Sequence, residues 1–304
     1  MINIETIEEA EALIESAVRA KVKILDLSFS QCYKSDIIPN SIGRLSNLEQ
    51  LTIYNQHFNR VFIKKIPDTI GKLSKLKTLR ISELNDLEYL PDSLGNLTSL
   101  ESLHIADCPQ LKTIPNSIGK LKNLRLLELI GCMTPLSNFE SLPDSIGQLS
   151  SLKELIIKST SIHSLPNSIG NLSNLEYLEI SANPQLHQLP NTMGKLHQLK
   201  RLMLERGFLT CLPESIGELQ NLQELIVNDN QLTELPDSIG NLTQLKNLEI
   251  AKNQLTFLPD SIGNLSGLRG GILFWENPLK SLPESVFNLP IDVLETILGD
   301  FDWM

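Results

Sequence analysis

The sequence predicts an α/β solenoid built on a parallel β-sheet, and two observations carry that prediction. A proline recurs at Pro39, Pro67, Pro91, Pro115, Pro143, Pro166, Pro190, Pro213, Pro236, Pro259 and Pro283, with gaps of 28, 24, 24, 28, 23, 24, 23, 23, 23 and 24 residues. Around each proline one phrase returns, LPxSIGxLxxLxxLxIxxNxLxx, and LPDSIGNL stands unchanged at residues 235–242 and 258–265. A fixed period of this size marks stacked supersecondary units, each unable to bury its own flanks and dependent on its neighbours for a core.

The elements follow in chain order. Residues 4–20, IETIEEAEALIESAVRA, carry acids early and apolar residues at Ile7, Ala10, Leu13, Ile14 and Val18. That period predicts an amphipathic helix, the N-terminal cap within residues 1–21. Residues 22–29, VKILDLSF, read as the first strand. Residues 22–290 then hold about eleven repeats of 23–28 residues. In the repeat from Pro236, Leu245, Leu248 and Ile250 alternate with the polar Asn247 and Glu249, which predicts a short half-buried strand. Asn253 is expected to satisfy backbone groups at the turn. Pro259, Ile262, Gly263 and Leu265 make the return limb, with 3₁₀ or irregular turns. There the proline presets φ, and the glycine is expected to permit a backbone conformation that a Cβ would hinder. Residues 291–304 depart from the repeat and read as a closing helix. The expectation is one elongated, curved domain over residues 1–304.

The segments LQELIVNDNQL at 222–232 and LKNLEIAKNQL at 245–255 resemble the leucine-rich repeat, whose signature is LxxLxLxxNxL. The LPxSIGxL half is similar to a subclass shared by bacterial repeat proteins and the plant and animal Ras-linked group. The resemblance covers about residues 22–290. It implies a right-handed horseshoe with a concave parallel sheet and a convex side of turns. It also implies a protein that binds other proteins.

Composition narrows the function classes. A net charge of −10 argues against nucleic acid and against an anionic membrane surface. The N-terminus has no apolar core of a Sec signal, and no apolar run approaches 18 residues. Cys32, Cys108, Cys132 and Cys211 form no CxxC pair, which suits a reducing compartment, so the chain reads as cytoplasmic. Cys108 and Cys132 fall on the asparagine position of adjacent repeats and read as small buried residues. Sequons at Asn96, Asn171, Asn241 and Asn264 belong to the repeat's GNL(S/T) turn.

The positions free to vary lie 11, 13, 15 and 16 residues after each proline, on the outward face of the sheet. Strands about 4.8 Å apart would give eleven of them roughly 50 Å of inner arc. That is room for an interface of about 800 Å² per partner. Ile156, Tyr177, Met203 and Ile226 fall on consecutive strands beside Glu154, Glu179, Arg201, Glu205 and Glu224. Apolar anchors ringed by charge are the anatomy of a binding hot spot. Trp275, in a stretch with an extra residue, reads either as an exposed anchor or as packed on the end cap with Trp303. The partner-binding candidates are therefore Ile156, Tyr177, Glu179, Arg201, Met203, Glu205, Glu224, Ile226 and Trp275. Two insertions, residues 54–66 with Phe58, Arg60, Phe62, Lys64 and Lys65, and residues 131–142, either add contacts or fold their aromatics back.

Catalytic signatures are absent from the letters. The GK pairs at Gly71–Lys72, Gly119–Lys120 and Gly194–Lys195 sit in the repeat's own turn, outside GxxxxGK(S/T). His57, His104, His163, His187 and His197 show no paired spacing, and no GxSxG occurs. Carboxylates such as Glu179 and Glu205 are expected to be solvated on an open sheet. The reading is a monomeric, non-catalytic module that binds a protein partner on its concave face, with no cofactor, metal, nucleic acid or membrane. Its alternatives are a bacterial effector or adhesin exported without a Sec signal to bind a host protein, and a regulatory scaffold for a small GTPase or phosphatase.

Overall fold

The computed structural model describes residues 3–30, 33–55, 62–131, 137–294 and 297. Its contacts gather into two compact units, Met1–Ser161 and Ile162–Met304. Both are built from the same repeat.

Every anchor proline does the same job. Each is the N-cap residue of a five-residue 3₁₀ helix, with φ between −56° and −72°. The pyrrolidine ring fixes that angle. The proline carbonyl accepts the N–H three residues on, as from Ile239 to Pro236 at 3.0 Å and from Ile262 to Pro259 at 3.0 Å. The isoleucine thus turned inward is fully buried in both repeats.

The glycine of the phrase has a different role from the one expected. A Cβ on Gly240 would stand 2.4 Å from the backbone oxygen of Ser261, and on Gly217 2.4 Å from that of Ser238. Among the described residues only Gly271 is a glycine at positive φ. The glycine is needed for the close approach of the next repeat rather than for a left-handed backbone. The small Ser or Thr facing it fits the same narrow gap. Its hydroxyl is buried and has no hydrogen-bond partner, as at Ser238 and Ser261.

In the first unit, strands β1 (Asn3–Ile4), β2 (Ile24–Phe29), β3 (Gln50–Asn55), β4 (Thr78–Ser82), β5 (Ser102–Ala106), β6 (Leu126–Ile130) and β7 (Glu154–Lys158) form a parallel sheet in chain order. Helix α1 (Ile7–Ala20) covers its beginning and buries Ala10, Ile14 and Ala17. The expected helix over 4–20 therefore starts later, and Ile4 instead pairs in register with Phe29. A capping box fixes the boundary: Thr6 Oγ1 accepts the Glu9 N–H at 3.2 Å, and the Glu9 carboxylate accepts the Thr6 N–H at 3.3 Å. Glu49, between Lys23 at 2.8 Å and Lys77 at 3.1 Å, has its pKa lowered to about 2, first by its hydrogen bond with Lys23.

In the second unit, β8 (Tyr177–Ser181), β9 (Arg201–Met203), β10 (Glu224–Ile226), β11 (Asn247–Glu249) and β12 (Ile272–Leu273) form a parallel sheet in the same manner. Residues 291–294 and 297 are helical, and the rest of the expected closing helix, with Trp303, lies outside the described residues.

In the second unit, strands β8, β10, β11 and β12 end in turns that hold a buried asparagine, Asn183, Asn230, Asn253 and Asn277. Asn253 Nδ2 donates to Val227 O, Ile250 O and Ala251 O at 2.9, 3.0 and 3.1 Å, and its Oδ1 accepts the Leu232 N–H at 3.1 Å. Asn230 and Asn277 repeat the pattern in the neighbouring repeats. Cys108 keeps one part of it, donating from Sγ to Ala106 O at 3.3 Å. Cys132 lies outside the described residues. The residue before the asparagine, expected to be an ordinary surface position, is left-handed at Ala182, Asp229, Lys252 and Glu276, and so is Arg206, which precedes Gly207.

Candidate functional site

Register sets out the outward face of the second sheet in rows. Tyr177, Arg201, Glu224 and Asn247 form one row, and Glu179, Met203, Ile226, Glu249 and Leu273 the next. Neighbours within a row lie about 4.8 Å apart on adjacent strands, so their side chains touch rather than stand alone.

The contacts tie five of the expected residues into one cluster. The Tyr177 hydroxyl donates to Glu179 Oε2 at 2.6 Å and lies 3.2 Å from Met203 Sδ. The Arg201 guanidinium stands 5.7 Å from the centre of the Tyr177 ring, and its Nε bonds Glu224 Oε2 at 2.9 Å. Tyr177 and Met203 are half-buried, and Arg201 is exposed.

Two expected residues differ in accessibility. Glu179 is 6 % exposed, not solvated, because the tyrosine hydroxyl and the methionine close over it. Ile226 is also 6 % exposed, held between Met203 and Glu249 in its row, so it supports the face instead of presenting itself as an anchor.

Glu205 belongs to a network that the sequence did not reveal. Asn228 Nδ2 donates to Glu205 Oε1 at 3.3 Å and to Glu249 Oε2 at 2.8 Å, while its Oδ1 accepts the Ala251 N–H at 2.9 Å. Asn247 Nδ2 bonds the other oxygen of Glu249 at 2.8 Å. Asn228, Asn247 and Glu249 were legible only as outward positions, because no motif distinguishes a bridging amide from a solvated one.

Trp275 is 39 % exposed, with Lys252 Nζ 5.0 Å from its ring centre. Ile156 sits half-buried on β7 of the first unit, in register with Glu128. On that unit's face His104 Nδ1 lies 2.6 Å from Glu128 Oε2. Of the inserted segments, Phe139 folds back to 4 % exposure while Phe62 stays 43 % exposed. Lys64 and Lys65 are exposed, and Phe58 and Arg60 lie outside the described residues.

Among the described residues, no group of three or more His, Cys, Asp or Glu could hold a metal ion, and no helix is long and apolar enough to cross a membrane.

A surface of this kind, a parallel sheet whose varied side chains stand on a constant repeat, is that of a repeat scaffold. The sequence matches the leucine-rich repeat region over residues 21–134, 130–210 and 187–289, and the chain belongs to the leucine-rich repeat proteins. No curated protein matches it in sequence. Among solved structures it is similar to the leucine-rich repeat domain of the type III effector XopL, with 25% identity, a TM-score of 0.59 and coverage of 94% of this chain and 79% of that one. An octameric complex of Latrophilin 3, Unc5D and the leucine-rich repeats of FLRT2 gives 21% identity, a TM-score of 0.61 and coverage of 88% and 82%. The internalin InlF of Listeria monocytogenes gives 19% identity, a TM-score of 0.53 and coverage of 91% and 87%. The latter two likenesses are of fold alone.

Proposed function

We propose that this protein is a non-catalytic binding module that takes a protein partner on the outward sheet face of its second unit. The observation that carries this reading is the cluster of Tyr177, Met203 and Arg201 on an uncovered sheet, held in place by Glu179 and Glu224. Aromatic, methionine and arginine side chains dominate binding hot spots when their rotamers are already fixed. Trp275 extends the same chemistry to the end of the sheet. Such a module acts as a monomer and in the cytoplasm.

The test is affinity capture followed by mass spectrometry, comparing wild type with the double variant Tyr177→Ala/Met203→Ala. Circular dichroism verifies that both are folded. Loss of a captured protein in the variant is expected, at about 2 kcal/mol or more for a hot-spot pair. Equal capture by both proteins would place binding elsewhere. The likeness to a type III effector domain supports a second reading, an exported protein whose partner belongs to a host. Capture from host material but not from the source organism's own lysate selects that reading.

A further inference from the structure

At the first three outward positions of each repeat the second sheet carries one cation, Arg201, and four carboxylates, Glu179, Glu205, Glu224 and Glu249, while the turn position that follows adds Arg206, Asp229, Lys252 and Glu276. Arg201 is engaged by Glu224 and Glu179 by Tyr177. Glu205 and Glu249 are served instead by neutral amides: Asn247 donates to Glu249 at 2.8 Å, and Asn228 Nδ2 donates to both, at 3.3 and 2.8 Å. Two oxygens bonded to one nitrogen at those distances stand at most about 6 Å apart. Like charges so close repel, and an amide hydrogen offsets this less than a cation would. An ionised carboxylate has about four acceptor sites, so both groups keep room for further donors.

A second polar group on this face is also unsatisfied. Ser181 shares the outward side of β8 with Tyr177 and Glu179, and the next residue's N–H bonds Glu205 O at 2.8 Å, which sets the serine beside Glu205. The residue is 9 % exposed and its Oγ has no hydrogen-bond partner. With no third His, Cys, Asp or Glu grouped with these two carboxylates among the described residues, the cation that fits best is an organic one on a flexible stem. A guanidinium matches best, because its planar fork can face two carboxylates at once. Its stem would lie along the apolar surface of Met203, with Tyr177 beyond.

We propose that the partner of this face presents an extended basic segment, with an arginine seated between Glu205 and Glu249. The proposal rests on the reading that this face binds protein, and names the chemistry of what it binds.

The probe is a fluorescent nine-residue peptide of alternating arginine and valine, with a glutamine–valine peptide as its neutral counterpart. Binding is read by anisotropy in low and in moderate salt. The arginine peptide should bind about tenfold more tightly than the glutamine peptide, and salt should weaken it. Glu205→Gln/Glu249→Gln should lose about tenfold, while Glu234→Gln/Asp237→Asn, the same charge change outside the sheet face, should lose less than about twofold. Equal losses in the two double variants would reduce the effect to general acidity and overturn the proposal, as would equal binding of the two peptides. Capture separates this failure from that of the broader reading. If Glu205→Gln/Glu249→Gln still holds the proteins that Tyr177→Ala/Met203→Ala loses, the face binds protein but not through a basic segment. If neither variant loses them, both readings fall.

Discussion

Replacing Gly240 by alanine tests why the repeat keeps its glycine. The new Cβ would stand 2.4 Å from the Ser261 carbonyl oxygen and 2.7 Å from its Cβ. Comfortable contact between such atoms begins near 3.5 Å, so the methyl is about 1 Å too close. The nearest atom is backbone, and no side-chain rotation can move it. The neighbouring 3₁₀ helix, Asp260–Asn264, would have to shift as a body, and with it the packing of fully buried Ile262 and Leu265. Overpacking of this kind costs about 1–3 kcal/mol. Against it, alanine narrows the unfolded ensemble and returns about 0.4–1 kcal/mol. The net expectation is a loss of about 1–2 kcal/mol. Gly270 supplies the control, since its Cβ would meet only the Asn247 Oδ1 at 3.2 Å and then Lys246 O at 3.5 Å. Gly270→Ala should stay within about 0.5 kcal/mol of wild type. Urea denaturation followed by circular dichroism measures both. Equal stability of the two variants would refute the close-approach argument.

Asn253→Ala removes one donor from each of three carbonyls that also accept from Asn230, Asn277 or Asp229, and takes the acceptor from the buried Leu232 N–H, so it should cost about 1–3 kcal/mol, with faster exchange at the Leu232 amide. Asn253→Cys should cost less, since Cys108 already fills that place with one thiol bond to a carbonyl. The Glu49 carboxyl should titrate by NMR near 2, and near its ordinary 4.5 in Lys23→Met/Lys77→Met. The folded pKa lies below the unfolded one, so what these pairs contribute to stability is present above about 4.5 and fades as pH falls toward 2. A midpoint unchanged in the double variant would show that the lysines are not the cause.

The repeat itself was legible because its environment repeats. All eleven prolines cap the same 3₁₀ helix, and each leucine of the phrase that was expected inside the repeat from Pro236 is buried. What escaped was whatever depends on a neighbour rather than on a period. The left-handed residue at Ala182, Asp229 and Lys252 has no letter of its own, because the asparagine that holds the turn stands one position later. Gly240 looked like a residue chosen for its freedom, since the atom that excludes a Cβ there belongs to the next repeat. Strand β1 was hidden inside an apolar helical period that Thr6 interrupts with a capping box.

The same limit applied to the candidate surface. Alternation along each strand identified which side chains point outward, and that part held for Tyr177, Arg201, Met203 and Glu205. It could not tell which of them remain accessible, because that is decided across strands. Ile226 and Glu179 face outward yet are both 6 % exposed, covered by larger or bonded neighbours in the adjoining strands. A carboxylate's setting follows the same rule. Glu224 and Glu205 both read as outward carboxylates in the chain pattern, but one faces an arginine across the sheet and the other an amide. The charges that remain unanswered on such a surface are therefore a property of pairs of repeats. A partner's complementary charge should be sought at those pairs, since a cation gained there replaces repulsion between the protein's own side chains instead of competing with an ion pair already made.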